Sequence, residues 1–146
     1  MKCTISQALL IGLLAPAVWA GPAAPVIDVY KSPTCGCCSK WIDHLKANGF
    51  AVRGHDTPDV VQHKIRLGIP QGYDSCHTAE VGGYVIEGHV PAKDIKRLLK
   101  EKPVARGLTV PGMPIGSPGM EQGSHKDVYD VILLGKDGKP RVYSRY

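Results

Sequence analysis

Apolar and polar residues alternate between Val26 and Tyr30, and the β-branched side chains of this stretch favour a strand. Beyond a short polar turn, Trp41, Ile42 and Leu45 recur with helical spacing. The pair Asn48-Gly49 then ends the apolar pattern, as is typical of a helix C-terminus. The pattern therefore predicts a strand and a helix joined by a turn.

The rest of the chain continues with the same two periods. The pattern predicts a strand over 50–55, a helix over 57–67, strands around Gly82-Gly83 within 79–88, a helix from Pro91 through Leu99, and a hairpin over 128–134 and 140–146. The order strand, helix, strand, helix, two strands and helix is that of a thioredoxin-like α/β domain. The sequence thus predicts a βαβαββα domain with a C-terminal β-hairpin.

A segment rich in proline, glycine and methionine lies between the last predicted helix and the hairpin. It extends from Gly107 to Gly123 and contains Met113 and Met120, the only methionines besides the initiator. We expect an ordered loop or a flexible arm. Thioether sulfur is a soft ligand that suits Cu(I), so the two methionines are candidate copper contacts. The alternative is that they only pack the loop onto the domain.

Composition and charge restrict the class of protein. The chain has 146 residues, of which 43% are hydrophobic and 21% charged, as expected for one globular domain. Lys and Arg exceed Asp and Glu by 18 to 13, but the basic residues are dispersed among acidic ones. We therefore expect no nucleic acid partner.

The first twenty residues have the features of a signal peptide. Lys2 supplies a positive charge, residues 5–18 are almost wholly apolar, and small residues precede a predicted cleavage after Ala20. The apolar run is shorter than the roughly 20 residues of a comfortable membrane span. We therefore predict a signal peptide at 1–20, a single domain at 21–146, export to an oxidising compartment and no membrane span after signal removal.

Export changes the meaning of the cysteines. The chain has five, and Cys3 lies in the predicted signal, which leaves Cys35, Cys37, Cys38 and Cys76. Two stabilising disulfides are the conventional expectation for a secreted protein. The spacing argues against it, because a link from Cys35 to Cys38 closes almost no loop of the unfolded chain. Three thiols lie within four residues, at a turn into a helix whose start favours thiolates. This arrangement indicates a reactive or metal-binding site.

Soft sulfur donors point to Cu(I) as the metal. Zinc is an alternative, but the usual zinc site has two separated Cys-x-x-Cys pairs, whereas Cys35, Cys37 and Cys38 are crowded together. Crowded thiolates suit a multinuclear cluster that bridges several Cu(I) ions. His77, which follows Cys76, is a candidate nitrogen ligand or an ordinary hydrogen-bonded histidine.

The four thiols also allow redox chemistry. The least strained pairing is Cys35 with Cys38 and Cys37 with Cys76, which gives two dithiol/disulfide couples. Copper binding and interconversion of Cu(I) and Cu(II) could then be one mechanism, that of a copper oxidoreductase. A thiol-disulfide oxidoreductase remains open, with Cys35 as the attacking and Cys38 as the resolving catalytic thiol. So does a passive copper chaperone.

Four motifs together carry a resemblance to a known family. They are Cys35-Gly36-Cys37-Cys38, Cys76-His77-Thr78-Ala79, Gly88-His89-Val90-Pro91 and the loop from Gly112-Met113-Pro114 to Gly119-Met120-Glu121. In these motifs the chain resembles the CopG-type periplasmic copper-resistance proteins. The resemblance implies a periplasmic thioredoxin-like domain that binds copper, handles its redox state under copper stress and meets other periplasmic copper-handling proteins. By position, it implies that the four cysteines are the ligands.

Overall fold

The computed structural model describes residues 25–146, so the predicted signal peptide at 1–20 lies outside the described residues. The described part is a mixed α/β structure with one sheet and three helices. In chain order the elements are β1 Ile27–Lys31, α1 Gly36–Ala47, β2 Val52–Asp56, α2 Val60–Leu67, β3 Thr78–Val81, β4 Tyr84–Glu87, α3 Ala92–Glu101, β5 Ala105–Thr109, β6 Asp130–Gly135 and β7 Pro140–Arg145. None of the helices in residues 25–146 has the length and apolar character needed to cross a membrane.

The sheet has seven strands in the order β2-β1-β3-β4-β5-β6-β7. The pairs β1–β2 and β4–β5 are parallel, and the other neighbours are antiparallel. The predicted order is confirmed through α3, and β6 and β7 form the predicted hairpin. The sequence pattern does not predict β5, because it places Gly107 in the loop. Gly107 lies so close to Val85 that a Cβ there would be 1.8 Å from the Val85 carbonyl oxygen, which only glycine allows.

The two faces of the sheet have opposite character. One row of cross-strand neighbours consists of Val29, Ala79, Ile86 and Leu108, all fully buried. The adjacent row, on the opposite face because side chains alternate along a strand, consists of Tyr30, Thr78, Glu87 and Thr109. We refer to these as the apolar face and the polar face.

Helices α1 and α3 cover the apolar face. Trp41 and Leu45 of α1 and Ile95 and Leu98 of α3 are fully buried in the same core as Val29. Each fully buried aliphatic side chain of this kind contributes roughly 1.5–3 kcal/mol. The core on this face therefore provides most of the hydrophobic stabilisation.

Helix α2 covers the polar face with polar side chains directed at the sheet and apolar side chains directed at solvent. None of its residues is buried, and its apolar Val61 and Ile65 are 59% and 66% exposed. Its inward side chains are polar, because the ring of His63 stacks on Tyr30 at 4.0 Å and Lys64 forms an ion pair with Glu87. The predicted helix is present, but its apolar side chains do not form a core.

The C-terminal hairpin is joined to α3 through Asp94, which is 3% exposed. Ser144 Oγ and Tyr146 OH each donate a hydrogen bond of 2.5 Å to its carboxylate. The main chain of Tyr146 also pairs with Tyr129. These contacts anchor the end of the hairpin to the first turn of α3.

Candidate metal centre

The cysteine motif forms the N-terminus of α1. Cys35 is the N-cap residue, and its Sγ accepts a hydrogen bond from the Cys38 main-chain N–H at 3.3 Å. Free N–H groups at a helix start are normally satisfied by a hydroxyl or carboxylate oxygen, and here sulfur takes that place. The helix start therefore fixes Cys35 and places Cys37 and Cys38 in the first turn.

The structure brings together the four cysteines predicted as ligands, with their sulfur atoms within 4.8 Å of one another. Cys35 and Cys38 form a disulfide, which is the first of the two pairings expected from the sequence. Cys37 and Cys76 are free thiols with a separation of 4.0 Å between their Sγ atoms. Cys76 Sγ also lies 3.6 Å from Cys38 Sγ, so all four sulfurs form one cluster.

Cys76 reaches this cluster from the segment before β3. The segment is tied to the end of β5 by a hydrogen bond from Thr109 Oγ1 to the Tyr73 carbonyl at 2.7 Å, and to the loop after β5 by one from the Gly112 N–H to the Asp74 carbonyl at 3.0 Å. These bonds keep a connection without regular structure in one position. The fourth thiol is therefore held against a helix that lies 38 residues earlier in the chain.

Two histidines extend the cluster on the side of Cys76. Its Sγ lies 3.2 Å from His77 Nδ1 and 3.1 Å from His89 Nε2, and the three residues form a second group of donor atoms within 4.8 Å. His77 is a candidate from the sequence. His89 has no role assigned from the sequence, although it lies in one of the motifs that carry the resemblance. Its position could not be derived from spacing, since it reaches Cys76 from the end of β4.

Burial sets the protonation of these groups. Burial raises the pKa of the Cys76 thiol, and the negative charge of the neighbouring Cys37 raises it further. Burial lowers the pKa of His89 and lowers that of His77 well below its usual value. The imidazoles are therefore neutral near pH 7, which is the form that binds metal.

Each histidine directs one ring nitrogen that could bind metal toward Cys76. His89 Nδ1 lies 2.8 Å from the Pro118 carbonyl, which can only accept, so this nitrogen carries the proton and Nε2 keeps its lone pair. His77 is fully buried, and its Nε2 has no hydrogen-bond partner. A carbonyl that orients the second nitrogen is typical of metal-binding histidines.

The loop that carries the methionines is ordered and packs on α1. A Cβ at Gly119 would lie 2.9 Å from the Cys37 carbonyl oxygen and 2.8 Å from the Trp41 nitrogen, so the loop backbone touches the first turns of the helix. Met120 follows directly and is half-buried, whereas Met113 is 52% exposed. The loop therefore lies beside the cluster, and a methionine role in copper contact stays a prediction.

The fold and the site define a small α/β thiol protein with a cluster of soft metal donors. Two solved structures similar to the chain are both of the copper resistance protein copG, in two forms. Form 2 is 47% identical, with a TM-score of 0.81 and coverage of 84% of this chain and 98% of that one. Form 1 is also 47% identical, with the same coverage and a TM-score of 0.80.

The chain therefore belongs to the CopG family of copper resistance proteins. A family profile described as "Protein of unknown function, DUF411" matches residues 73–120, from Tyr73 through the methionine loop. No curated protein sequence matches the chain. The family and the clustered cysteines both fit copper binding, as the sequence led us to expect.

Proposed function

We propose that this is an exported protein that holds Cu(I) in a multinuclear cluster of Cys35, Cys37, Cys38 and Cys76 and interconverts Cu(I) and Cu(II) during copper resistance. The observation that carries the proposal is the convergence of four sulfur atoms within 4.8 Å of one another. Thiolates are soft ligands that select Cu(I), and sulfur atoms this close can bridge neighbouring ions. His77 and His89 supply nitrogen donors at the edge of the same cluster.

The disulfide supports the redox part of the proposal. When the Cys35 and Cys38 thiols form their disulfide, they release two electrons and two protons, and two Cu(II) ions take up the electrons and become Cu(I). The reverse step consumes two protons and returns the dithiol and two Cu(II) ions. Closure of the free Cys37 and Cys76 thiols, 4.0 Å apart, would add a second two-electron couple.

The topology supports a thioredoxin-like core. The first four strands have the order β2-β1-β3-β4, with β1 parallel to β2 and with β3 antiparallel to both of its neighbours. The Cys-x-x-Cys pair sits at the start of the helix after β1, where a redox motif of that fold class is expected. In this proposal β5, β6 and β7 are additions to the core.

Export to the periplasm rests on the predicted signal peptide at 1–20, with the mature domain at 21–146 as the part that handles copper and meets other copper-handling proteins. Protein isolated from the exported fraction is expected to begin at or near Gly21. N-terminal sequencing checks this, and an intact Met1 in that fraction would contradict it.

The decisive experiment concerns Cys37. A cluster needs all four thiolates, so Cys37→Ser and Cys76→Ser should each lower the number of Cu(I) ions bound by the reduced protein, beyond weakening one of them. Copper per protein, copper redox turnover and reduction of a disulfide substrate are measured side by side. Ser39→Ala is the matched control, because this exposed hydroxyl lies in the same helical turn and the Cys35 carbonyl to which it donates also accepts from the Ser39 main-chain N–H.

A thiol-disulfide oxidoreductase is the second candidate, favoured by the half-exposed Cys35 and buried Cys38 at a helix start. It needs Cys35 for attack and Cys38 for resolution, so Cys37→Ser would leave disulfide reduction intact. Full copper loading of Cys37→Ser together with that activity would replace the cluster proposal by this one. Copper loading without redox turnover in wild type would instead identify a passive chaperone.

The methionines are tested separately. If Met113 and Met120 contact copper, replacing both with Leu should slow or weaken Cu(I) loading and leave thermal stability nearly unchanged, because Leu is similar in size and apolar. The rate of loading from a Cu(I) chelator complex is the measurement. An unchanged rate and affinity would assign both residues to packing of the loop.

A further inference from the structure

We propose that Glu87, neutralised by Lys64, is the positioning residue that sets the place of Cys76 in the cluster. The inference deepens the proposed copper function and rests on it. It concerns an acidic side chain that the sequence pattern does not single out. It also gives a function to the polar side chains that α2 directs at the sheet.

Glu87 is the last residue of β4 and is fully buried. Its Oε1 accepts a hydrogen bond of 2.7 Å from the main-chain N–H of Ser75, the residue directly before Cys76. A hydrogen bond to a charged acceptor is roughly twice as strong as one between neutral groups. The carboxylate therefore fixes the main chain one residue from the thiol that contacts Cys38 and His89.

Lys64 makes this buried carboxylate tolerable. Burial alone raises the pKa of Glu87, and the charge of Lys64 acts in the opposite direction. The Lys64 side chain is only 12% exposed and ends on Glu87 Oε1, the oxygen that also accepts from Ser75. A buried carboxylate without a cation would lose its charge or destabilise the fold. Because the buried Glu87 carboxylate needs a cation, α2 directs Lys64 at the sheet in place of an apolar side chain.

The surroundings of Ser75 leave it little room to move. A Cβ at Gly88 would lie 2.6 Å from Ser75 Cβ and 2.6 Å from the Val110 carbonyl oxygen, so the chain at Gly88 is in close contact with both. On its other side the Ser75 hydroxyl donates to the Gly112 carbonyl. The Glu87 bond completes a set of contacts that holds the main chain next to Cys76 from several directions.

The test separates hydrogen bonding from charge by a matched pair of double variants. Lys64→Met/Glu87→Gln removes both charges and keeps a carbonyl oxygen that can accept from Ser75. Lys64→Met/Glu87→Leu also removes both charges and has no acceptor. We expect the glutamine variant to bind Cu(I) nearly as tightly as wild type and the leucine variant to lose about 10- to 100-fold in affinity, as for loss of other groups that orient metal ligands.

A second readout needs no copper. The Sγ atoms of Cys37 and Cys76 lie 4.0 Å apart, so hydrogen peroxide can join them in a disulfide, taking two electrons and two protons from the thiols and becoming two water molecules. The rate depends on where Cys76 is held. This rate, followed by mass spectrometry of the metal-free protein, should fall in the leucine variant and recover in the glutamine variant. Asp94→Asn is the control, because this buried carboxylate belongs to the α3–β7 contact and its loss should lower thermal stability without changing the oxidation rate.

The outcomes distinguish the two proposals. Equal copper affinity and equal oxidation rate in both double variants and wild type would overturn the positioning role. Wild type that binds no Cu(I), while the oxidation rates still differ as expected, would support the positioning role and overturn the copper function. If the leucine variant does not fold, Glu87→Asp gives the same test, because it keeps the charge and withdraws the acceptor by one methylene. Wild-type behaviour of Glu87→Asp in both readouts would then overturn the inference.

Discussion

The two faces of the sheet use adjacent residues of the same strands for different purposes. Ile86 and Glu87 are neighbours on β4 and both are fully buried, yet Ile86 packs in the core under α1 and α3, whereas Glu87 binds Lys64 and the chain next to Cys76. Helix α1 buries its apolar side chains, and α2 exposes Val61 and Ile65 and turns Lys64 inward.

The difference shows how a small domain separates stability from the support of its site. Burial of apolar area is non-directional and stabilises the fold wherever side chains fit. Hydrogen bonds and ion pairs contribute less net free energy, but they fix direction. The apolar face therefore holds the fold together, and the polar face orients the segment that carries Cys76.

The largest effect is expected from the apolar face. Ile86→Ala removes three carbon atoms from a fully buried position and should lower the free energy of unfolding by about 2–5 kcal/mol. Urea unfolding of the metal-free protein measures it. Copper per folded protein should stay that of wild type, and a loss of copper sites in protein that remains folded would argue against the separation of the two faces.

The next effect comes from a polar contact next to the apolar core. Tyr146→Phe removes the hydroxyl that donates to Asp94 Oδ2 at 2.5 Å, while Ser144 continues to donate to the other oxygen. Because the ring stays in place, we expect a loss of about 1 kcal/mol, typical of one hydrogen bond. Thermal unfolding compared with Ser144→Ala checks it, and a loss as large as that of Ile86→Ala would mean that this contact is part of the core.

A smaller effect, which changes with pH only in the acid range, is expected on the polar face at Asp28. Hydrogen bonds from Arg53 and His55 lower its pKa to about 2. Because the folded pKa lies below that of the unfolded chain, the contribution to stability is present above pH about 4 and is lost as the pH falls toward 2. It should stay below about 1 kcal/mol, since the exposed Arg53 is screened by solvent.

The measurement for Asp28 is the stability of wild type and Asp28→Asn at a series of pH values. The variant should show a flatter dependence between pH 4 and 2, and the curves of the two proteins should run parallel at higher pH. Identical curves across the acid range would show that the ion pair makes no contribution.

The smallest effect should come from the outer side of α2. Val61→Thr/Ile65→Thr replaces two side chains that are already 59% and 66% exposed by a residue that is also β-branched. We expect a change within about 0.5 kcal/mol and unchanged copper loading. A loss close to that of Ile86→Ala would mean that these side chains are covered in the native protein.

The apolar face could be predicted from the sequence, and the polar face could not. Spacing of Trp41, Ile42 and Leu45 identified α1, because a helix on an apolar core must repeat its apolar residues. The same spacing rule predicts a helix at α2, but it also predicts that Val61 and Ile65 face the sheet, whereas both side chains are exposed. Only the sheet topology, which places Glu87 under this helix, shows why Lys64 takes that side instead.

The candidate site divides in a similar way. Cys35, Cys37 and Cys38 could be assigned to one place because they lie within four residues at a predicted helix start. Cys76 is the remaining thiol of the predicted mature chain, and the structure places its Sγ 4.0 Å from that of Cys37 and 3.6 Å from that of Cys38. His89 was missed, since its contact with Cys76 arises from the turn after β4 and from the Pro118 carbonyl, neither of which has a local signal.

The position of Trp41 makes the core of α1 a spectroscopic reporter of the site. The chain has two tryptophans, of which Trp19 lies in the predicted signal peptide, so the tryptophan emission of the mature protein would come from Trp41 alone. Its ring is fully buried and lies 4.4 Å from the ring of His77, whose Nδ1 in turn lies 3.2 Å from Cys76 Sγ. Copper bound at the thiols would quench this emission at short range. If the thiols hold copper as proposed, filling and emptying of the cluster can be followed in real time by the intrinsic fluorescence of the protein, without a label.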